Sequence, residues 1–106
     1  MQILFDQGTP VGIKECLQGH TAVTAWELGW STLLNGQLLN AAETAGFDVL
    51  LTTDKNLQYQ QNLTGRKIAI VILGQARWAL IRTRLDAVRE AIEKAQPGTF
   101  SVVDFS

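Results

Sequence analysis

Residues 67–73, Lys-Ile-Ala-Ile-Val-Ile-Leu, place six apolar side chains in succession, and few folds accept such a run. A strand wetted on one face alternates apolar and polar residues, whereas an unbroken apolar strand is covered on both faces. Helices on either side of a largely parallel sheet provide that cover. Gly74 terminates the run. Two further segments repeat the theme. Ile3, Leu4 and Phe5 lead into Asp6, too short a stretch for a helix, and read as a buried strand. Residues 47–53, centred on Val49, Leu50 and Leu51, lead into Asp54.

Between these strands the spacing points to helices. Thr9 and Pro10 pair an N-cap residue with proline at a first helical position, so a helix is expected to about Leu17, stopped by Gly19. A weak β-branched strand follows at 21–24. Residues 25–34 read as a loop or a single helical turn. Asn35 is expected to cap a helix whose Leu38, Leu39, Ala41, Ala42 and Ala45 form an apolar stripe, ended by Gly46. The Gln- and Asn-rich residues 55–66 read as a loop with one short turn. A long helix is expected over 78–95, with positions 78, 81, 85, 88, 92 and 95 on one face. Arg82/Asp86 and Arg89/Glu93 are spaced for pairing on another. Pro97 and Gly98 then turn the chain into a last strand at 99–103. The whole is a single α/β domain over residues 1–106, with a mostly parallel sheet of four to five strands flanked by helices. The relative direction of the strands at 47–53 and 67–73 stays open, because the loop between them is short for a crossover helix.

A chain of 106 residues suffices for one hydrophobic core. No window approaches the roughly 18 apolar residues of a membrane span. The N-terminus lacks the basic, apolar and small-residue succession of a secretion signal, so a cytoplasmic, non-membrane protein is expected. One cysteine, Cys16, excludes an intramolecular disulfide and a thiolate metal cluster. The net charge of −1 hides an asymmetry: residues 1–54 carry one base and six acids, residues 55–106 eight bases and four acids. The split reads either as a cation site beside an anion-binding surface or as ordinary surface charge, unevenly distributed.

Asp6 and Asp54 are the residues best placed for chemistry. In an open parallel sheet, ligands bind beyond the carboxyl ends of the strands. On neighbouring parallel strands the two carboxylates would emerge side by side, and like charges that close call for a shared proton or a cation. Carboxylates suit Mg²⁺ or Mn²⁺, which can activate water against a phosphodiester. The competing reading has each aspartate capping a following turn; spacing leaves both open. Other schemes lack their parts. There is no P-loop and no glycine-rich dinucleotide turn after the first strand. His20 is the sole histidine, Ser31 has no evident base, and Cys16 reads as a small buried hydrophobe. Trp26, Trp30 and Trp78 read as core or interface packing.

Three segments, Ile3-Leu4-Phe5-Asp6-Gln7, Glu27-Leu28-Gly29 and Leu51-Thr52-Thr53-Asp54-Lys55-Asn56-Leu57, resemble in order and spacing the small PIN-like domain family, compact relatives of PIN-domain toxin ribonucleases. The resemblance spans nearly the whole chain, and the strand-end aspartates are its most specific part. It implies a Mg²⁺- or Mn²⁺-dependent nuclease that hydrolyses RNA, of the kind found in toxin–antitoxin systems. On that resemblance Asp6 and Asp54 are catalytic metal ligands and Thr52 orients the site by hydrogen bonding. Glu27 matches an acidic position ahead of the second long helix and is a further metal candidate. An antitoxin-like protein partner and a homodimer are also implied, with interfaces expected at 26–34 and around Trp78.

The chain departs from the family's pattern at three places. Relatives commonly read Asp-Glu-Asn where this chain has Asp6-Gln7-Gly8, and an acidic residue near the start of the second long helix where Asn35, Gly36 and Gln37 stand. They commonly carry a second aspartate at the position of Asn56. The carbonyl oxygens of Gln7, Gln37 and Asn56 can support a metal but add no charge. These departures, with the slightly acidic balance, favour an alternative: a PIN-like fold kept as a binding or regulatory module acting through a protein partner. An unrelated small α/β enzyme, using strand-end carboxylates for phosphoryl transfer, is the third class.

Overall fold

The computed structural model describes residues 1–60 and 62–105, the side chains of Gln58 and Gln60 excepted. Five strands run parallel in one sheet: β1 (Gln2–Phe5), β2 (Thr21–Thr24), β3 (Val49–Thr52), β4 (Ala69–Leu73) and β5 (Phe100–Val103). Their order across the sheet is β2-β1-β3-β4-β5. The helices are α1 (Asn35–Thr44), α2 (Leu57–Gln60), α3 (Trp78–Ile81) and α4 (Leu85–Lys94), with 3₁₀ segments at Val11–Cys16 and Arg82–Arg84. Among the described residues no helix is long and apolar enough to cross a membrane.

Side chains alternate across a strand, so each strand feeds two cores. Phe5, Leu51, Val71 and Val103 face one side, where they meet Ile13 and Leu17 of the first connection and Ile81, Val88 and Ile92 of the last helices. Leu4, Leu50, Ile70 and Ile72 face the other, against Leu38, Leu39 and Ala42 of α1 together with Leu57 and Leu63. Every residue of β4 is buried, as its unbroken apolar run requires. The second face thins out at the outer strand, where Val102 of β5 is 54% exposed.

The register of β1 on β3 is pinned at both ends. Asp48, just ahead of β3, accepts the Gln2 N–H on its carboxylate at 2.8 Å. Beyond the far end the Asp6 N–H donates to the Leu51 carbonyl at 2.9 Å. Strands β3 and β4 are parallel, Val49 opposite Ala69 and Thr52 opposite Ile72, which settles their direction. Among the described residues of the crossover between them, the regular helix is the four residues of α2.

Three local expectations are corrected. The first connection is a 3₁₀ helix at Val11–Cys16 with Pro10 as its N-cap, and Thr9 turns its hydroxyl to the Leu51 carbonyl at 3.1 Å instead. Gly12 sits within it where a Cβ would lie 2.6 Å from the Trp78 ring. Helix α1 is capped by Leu34, not Asn35; the Gln37 side chain accepts the Leu34 N–H at 3.3 Å. Residues 78–95 form two helices separated by a 3₁₀ turn. The Thr83 hydroxyl occupies the Leu80 carbonyl at 2.6 Å and Arg84 leaves helical geometry at φ −133°. Arg82 and Asp86 fall on opposite sides of that break, whereas Arg89 and Glu93 pair at 3.0 Å. The apolar periodicity survives it: Trp78, Ile81, Leu85, Val88, Ile92 and Ala95 all join one core. At its other end α1 closes as expected. Gly46 takes φ +87°, its N–H reaches the Glu43 carbonyl and the Phe47 N–H reaches that of Ala42.

Candidate functional site

The strand order reverses direction at β1, which has β2 on one side and β3 on the other. In open parallel sheets a crevice forms beyond the carboxyl ends of the strands at such a point, because the flanking connections depart in opposite directions. Asp6 follows β1 there and Thr52 closes β3. Phe5 pairs with Leu51, so Asp6 stands level with Thr52, and Asp54 lies two residues further along. The two carboxylates are therefore staggered, not side by side.

Thr52 joins them. Its side chain is fully buried, and its hydroxyl donates to Asp6 Oδ2 at 2.8 Å while accepting the Asp54 N–H at 3.1 Å. Asp6 Oδ1 accepts the Gln7 N–H at 2.8 Å, and Asp54 Oδ1 accepts the Asn56 N–H at 3.0 Å. Each aspartate thus caps the turn that follows it and also faces the mouth of the sheet. Capping and ligation are compatible here, since a carboxylate has about four acceptor positions.

The remaining candidates separate from this centre. Glu27 stays by its own strand: Oε1 takes the Thr24 N–H and hydroxyl at 3.1 and 3.0 Å and the Lys14 ammonium at 2.9 Å. The Lys14 hydrogen bond, and after it those from Thr24, hold its carboxyl below the usual range. Among the described residues no three His, Cys, Asp or Glu side chains gather as a metal-holding group, so Glu27 does not complete a triad with the aspartates. Gln37 is engaged at the start of α1, and Gln7 and Asn56 contribute backbone N–H groups to the two carboxylates. Burial pushes the Cys16 thiol up, with Arg89 opposing, which disfavours a thiolate nucleophile there.

The tryptophans divide as packing and surface. Trp30 stands edge-on to Phe47 with ring centroids 6.2 Å apart, and Trp78 covers Gly12 at the edge of the core. Trp26 and Leu34 are 75% and 74% exposed.

Asp104, Lys55 and Tyr59 also reach this end of the sheet, where they border a cleft next to the Asp54 turn. Asp104 was readable by the rule that singled out Asp6, being the first polar residue after the last apolar strand. Tyr59 lies in a polar stretch with no periodicity to mark it. No family model, curated protein or solved structure matches the chain.

Proposed function

We propose that this chain is a Mg²⁺- or Mn²⁺-dependent ribonuclease of the PIN-like, toxin type. The observation that carries the reading is the Asp6–Thr52–Asp54 hydrogen-bonded centre beyond adjacent parallel strands, at the point where the sheet reverses its winding. The donor set fits a small hard cation. Mg²⁺ is commonly held by one or two carboxylates, with water and substrate phosphate completing its octahedron.

In this reading Asp6 and Asp54 would hold the cation, which when bound would supply Lewis acidity for phosphodiester hydrolysis. Thr52 fixes the Asp6 carboxylate, and through the Asp54 N–H it ties the two ligands to one geometry. A carboxylate oxygen takes the proton from the attacking water. The new P–O bond forms as the bond to the departing sugar oxygen breaks, and that oxygen takes a proton from solvent. Buried Thr52 does no chemistry itself. It is a positioning residue.

Calorimetric titration with Mn²⁺, beside Asp6→Asn and Asp54→Asn, tests the centre without choosing a substrate. Binding by the wild type that both variants lose, followed by RNA cleavage sensitive to the same changes, is the expected result. A wild type that takes no Mn²⁺ at millimolar concentration rules the reading out.

The second reading is a binding or regulatory module acting through a protein partner. It is favoured by the absence, among the described residues, of any metal-holding group of three His, Cys, Asp or Glu side chains and by the exposed apolar residues Trp26 and Leu34. An antitoxin-like partner or a second copy would use that surface. Trp78, being packed into the core edge, is a poor candidate for it. On this reading Asp6→Asn leaves partner binding intact and no RNA is cut at any metal concentration.

A further inference from the structure

Each outer strand of the sheet turns one row of backbone groups away from its neighbour. In β5 the carbonyls of Thr99 and Val103 accept the N–H groups of Ile70 and Gly74, so Thr99, Ser101 and Val103 face β4. Phe100 and Val102 therefore present their N–H and C=O groups to the open side, and among the described residues nothing bonds them there. Residues 99–103 carry neither charge nor proline, the usual protections of an outer strand, and the Val102 side chain is 54% exposed. The opposite edge is closed. The N–H groups of Thr21 and Ala25 go to the carbonyls of Met1 and Phe5, which turns Ala22 and Thr24 of β2 outward. Glu27 takes the Thr24 N–H on Oε1 at 3.1 Å and holds the Lys14 ammonium at 2.9 Å. A charged pair thus occupies the place where a further strand would lie.

An outer strand with free main-chain groups recognises another extended strand, because the hydrogen bonds of the ladder supply the affinity. We propose that β5 pairs with β5 of a second copy of this chain, joining the two sheets into one across a two-fold axis. Only one side of β5 is open, and two copies bring that side together by a half-turn, which makes the paired strands antiparallel. The charge pattern favours a copy over other occupants. A groove of about 320 Å³ between α4 and β5 balances Arg84 and Lys94 against Glu90 and Asp104. A copy brings the same balance, whereas a polyanion or an acidic peptide meets no excess of bases. The uncharged strand also sets no like charges opposite each other. Because Glu27 closes β2, a contact of β5 on β2 does not repeat along a filament, and assembly stops at the dimer. Strand β4 lies between β5 and β3, so the Asp6–Asp54 centres stay open in both copies, and the seam is independent of their chemistry.

Sedimentation velocity of the full chain, from roughly 1 µM to roughly 1 mM, is the test. The wild type should pass from monomer to dimer within that range and form nothing larger. Val102→Lys and Val102→Glu each put like charges into the seam and should stay monomeric throughout, while circular dichroism shows the fold intact. Mixed in equal amounts, the two variants should associate again, about tenfold or more tightly than either alone. Misfolded chains would not recover in this way. Trp26→Ser, on the other exposed apolar surface, should dimerise as the wild type does. A wild type that stays monomeric at the top of the range overturns the proposal. So does a dimer that both Val102 variants retain, or a loss that mixing does not restore, or a dimer lost in Trp26→Ser and kept in Val102→Lys. A monomeric wild type that binds a capped Thr-Val-Thr-Val-Thr peptide, with binding lost in Val102→Lys, assigns the edge to a foreign strand and overturns the second copy.

Discussion

At the scale of single residues, Thr52 has the most to lose. It is buried, and one hydroxyl serves a carboxylate and a backbone N–H. Thr52→Val keeps the shape but leaves the Asp54 N–H without its acceptor and Asp6 Oδ2 without its donor. A hydrogen bond to a charged group is worth about 1.5–3 kcal/mol, so a loss of that size is expected in urea unfolding, with Thr52→Ser close to wild type. Glu43 gives a pH prediction. Burial acts to raise its carboxyl, but the Arg66 guanidinium and the Lys67 N–H bond to it, and the balance leaves it below the usual carboxylate range. A lowered folded value means the stabilisation is complete above the unfolded value and disappears as pH falls through the folded one. Glu43→Gln should therefore cost about 1 kcal/mol at neutral pH. The gap from wild type should close as pH drops below roughly 4.3, the ordinary glutamate value. Unfolding curves at a series of pH values check it; a gap that widens in acid contradicts the assignment.

At the scale of elements, the contact between the first connection and α3 decides the local geometry. Gly12 lies under Trp78 with no room for a methyl, since the ring carbons sit 2.6 Å from where its Cβ would be. Gly12→Ala should destabilise by about 1–3 kcal/mol, the usual cost of overpacking. Trp78→Phe removes the ring atoms concerned, so the double variant should be more stable than the sum of the single effects predicts. Additive losses in a double-mutant cycle would refute the contact. The strands were legible because apolar runs and their glycine stops are local signals, and α1 because its stripe and its Gly46 stop are too. Within the 3₁₀ segment Val11–Cys16, Gly12 lies under a tryptophan more than sixty residues away, and at the break before Arg84 the Thr83 hydroxyl bonds the Leu80 carbonyl. Neither is encoded in periodicity. The stripe on residues 78–95 survived because the 3₁₀ turn preserved its facing.

At the scale of the molecule, the parallel sheet converts two separated sequence signals into one centre. Asp6 and Asp54 were legible as strand-end carboxylates, but their stagger and the threonine between them depend on the register of β1 against β3. Glu27, a lesser metal candidate that rests on the resemblance alone, is held by Lys14 and Thr24. Asp104 follows its strand by the same rule, but no motif surrounds it. A cation shared by Asp6 and Asp54 would act on the whole fold. At concentrations near a hundred times its dissociation constant it should add about 2.7 kcal/mol. Mn²⁺ should accordingly raise the wild-type thermal midpoint by several degrees or more. Asp54→Asn should match wild type in EDTA and gain nothing from the metal. An equal metal response in both proteins would place any binding elsewhere.

The strand order has a consequence for synthesis. Once β3 has paired with β1, each later strand is laid down at the same growing edge, β4 on β3 and then β5 on β4. A chain emerging from the ribosome can therefore build its sheet in the order in which it is made, with no strand inserted between two already paired. The strands and turns bearing Asp6, Thr52 and Asp54 are all made before β4 and β5, and within the sheet β5, with Val102, comes last.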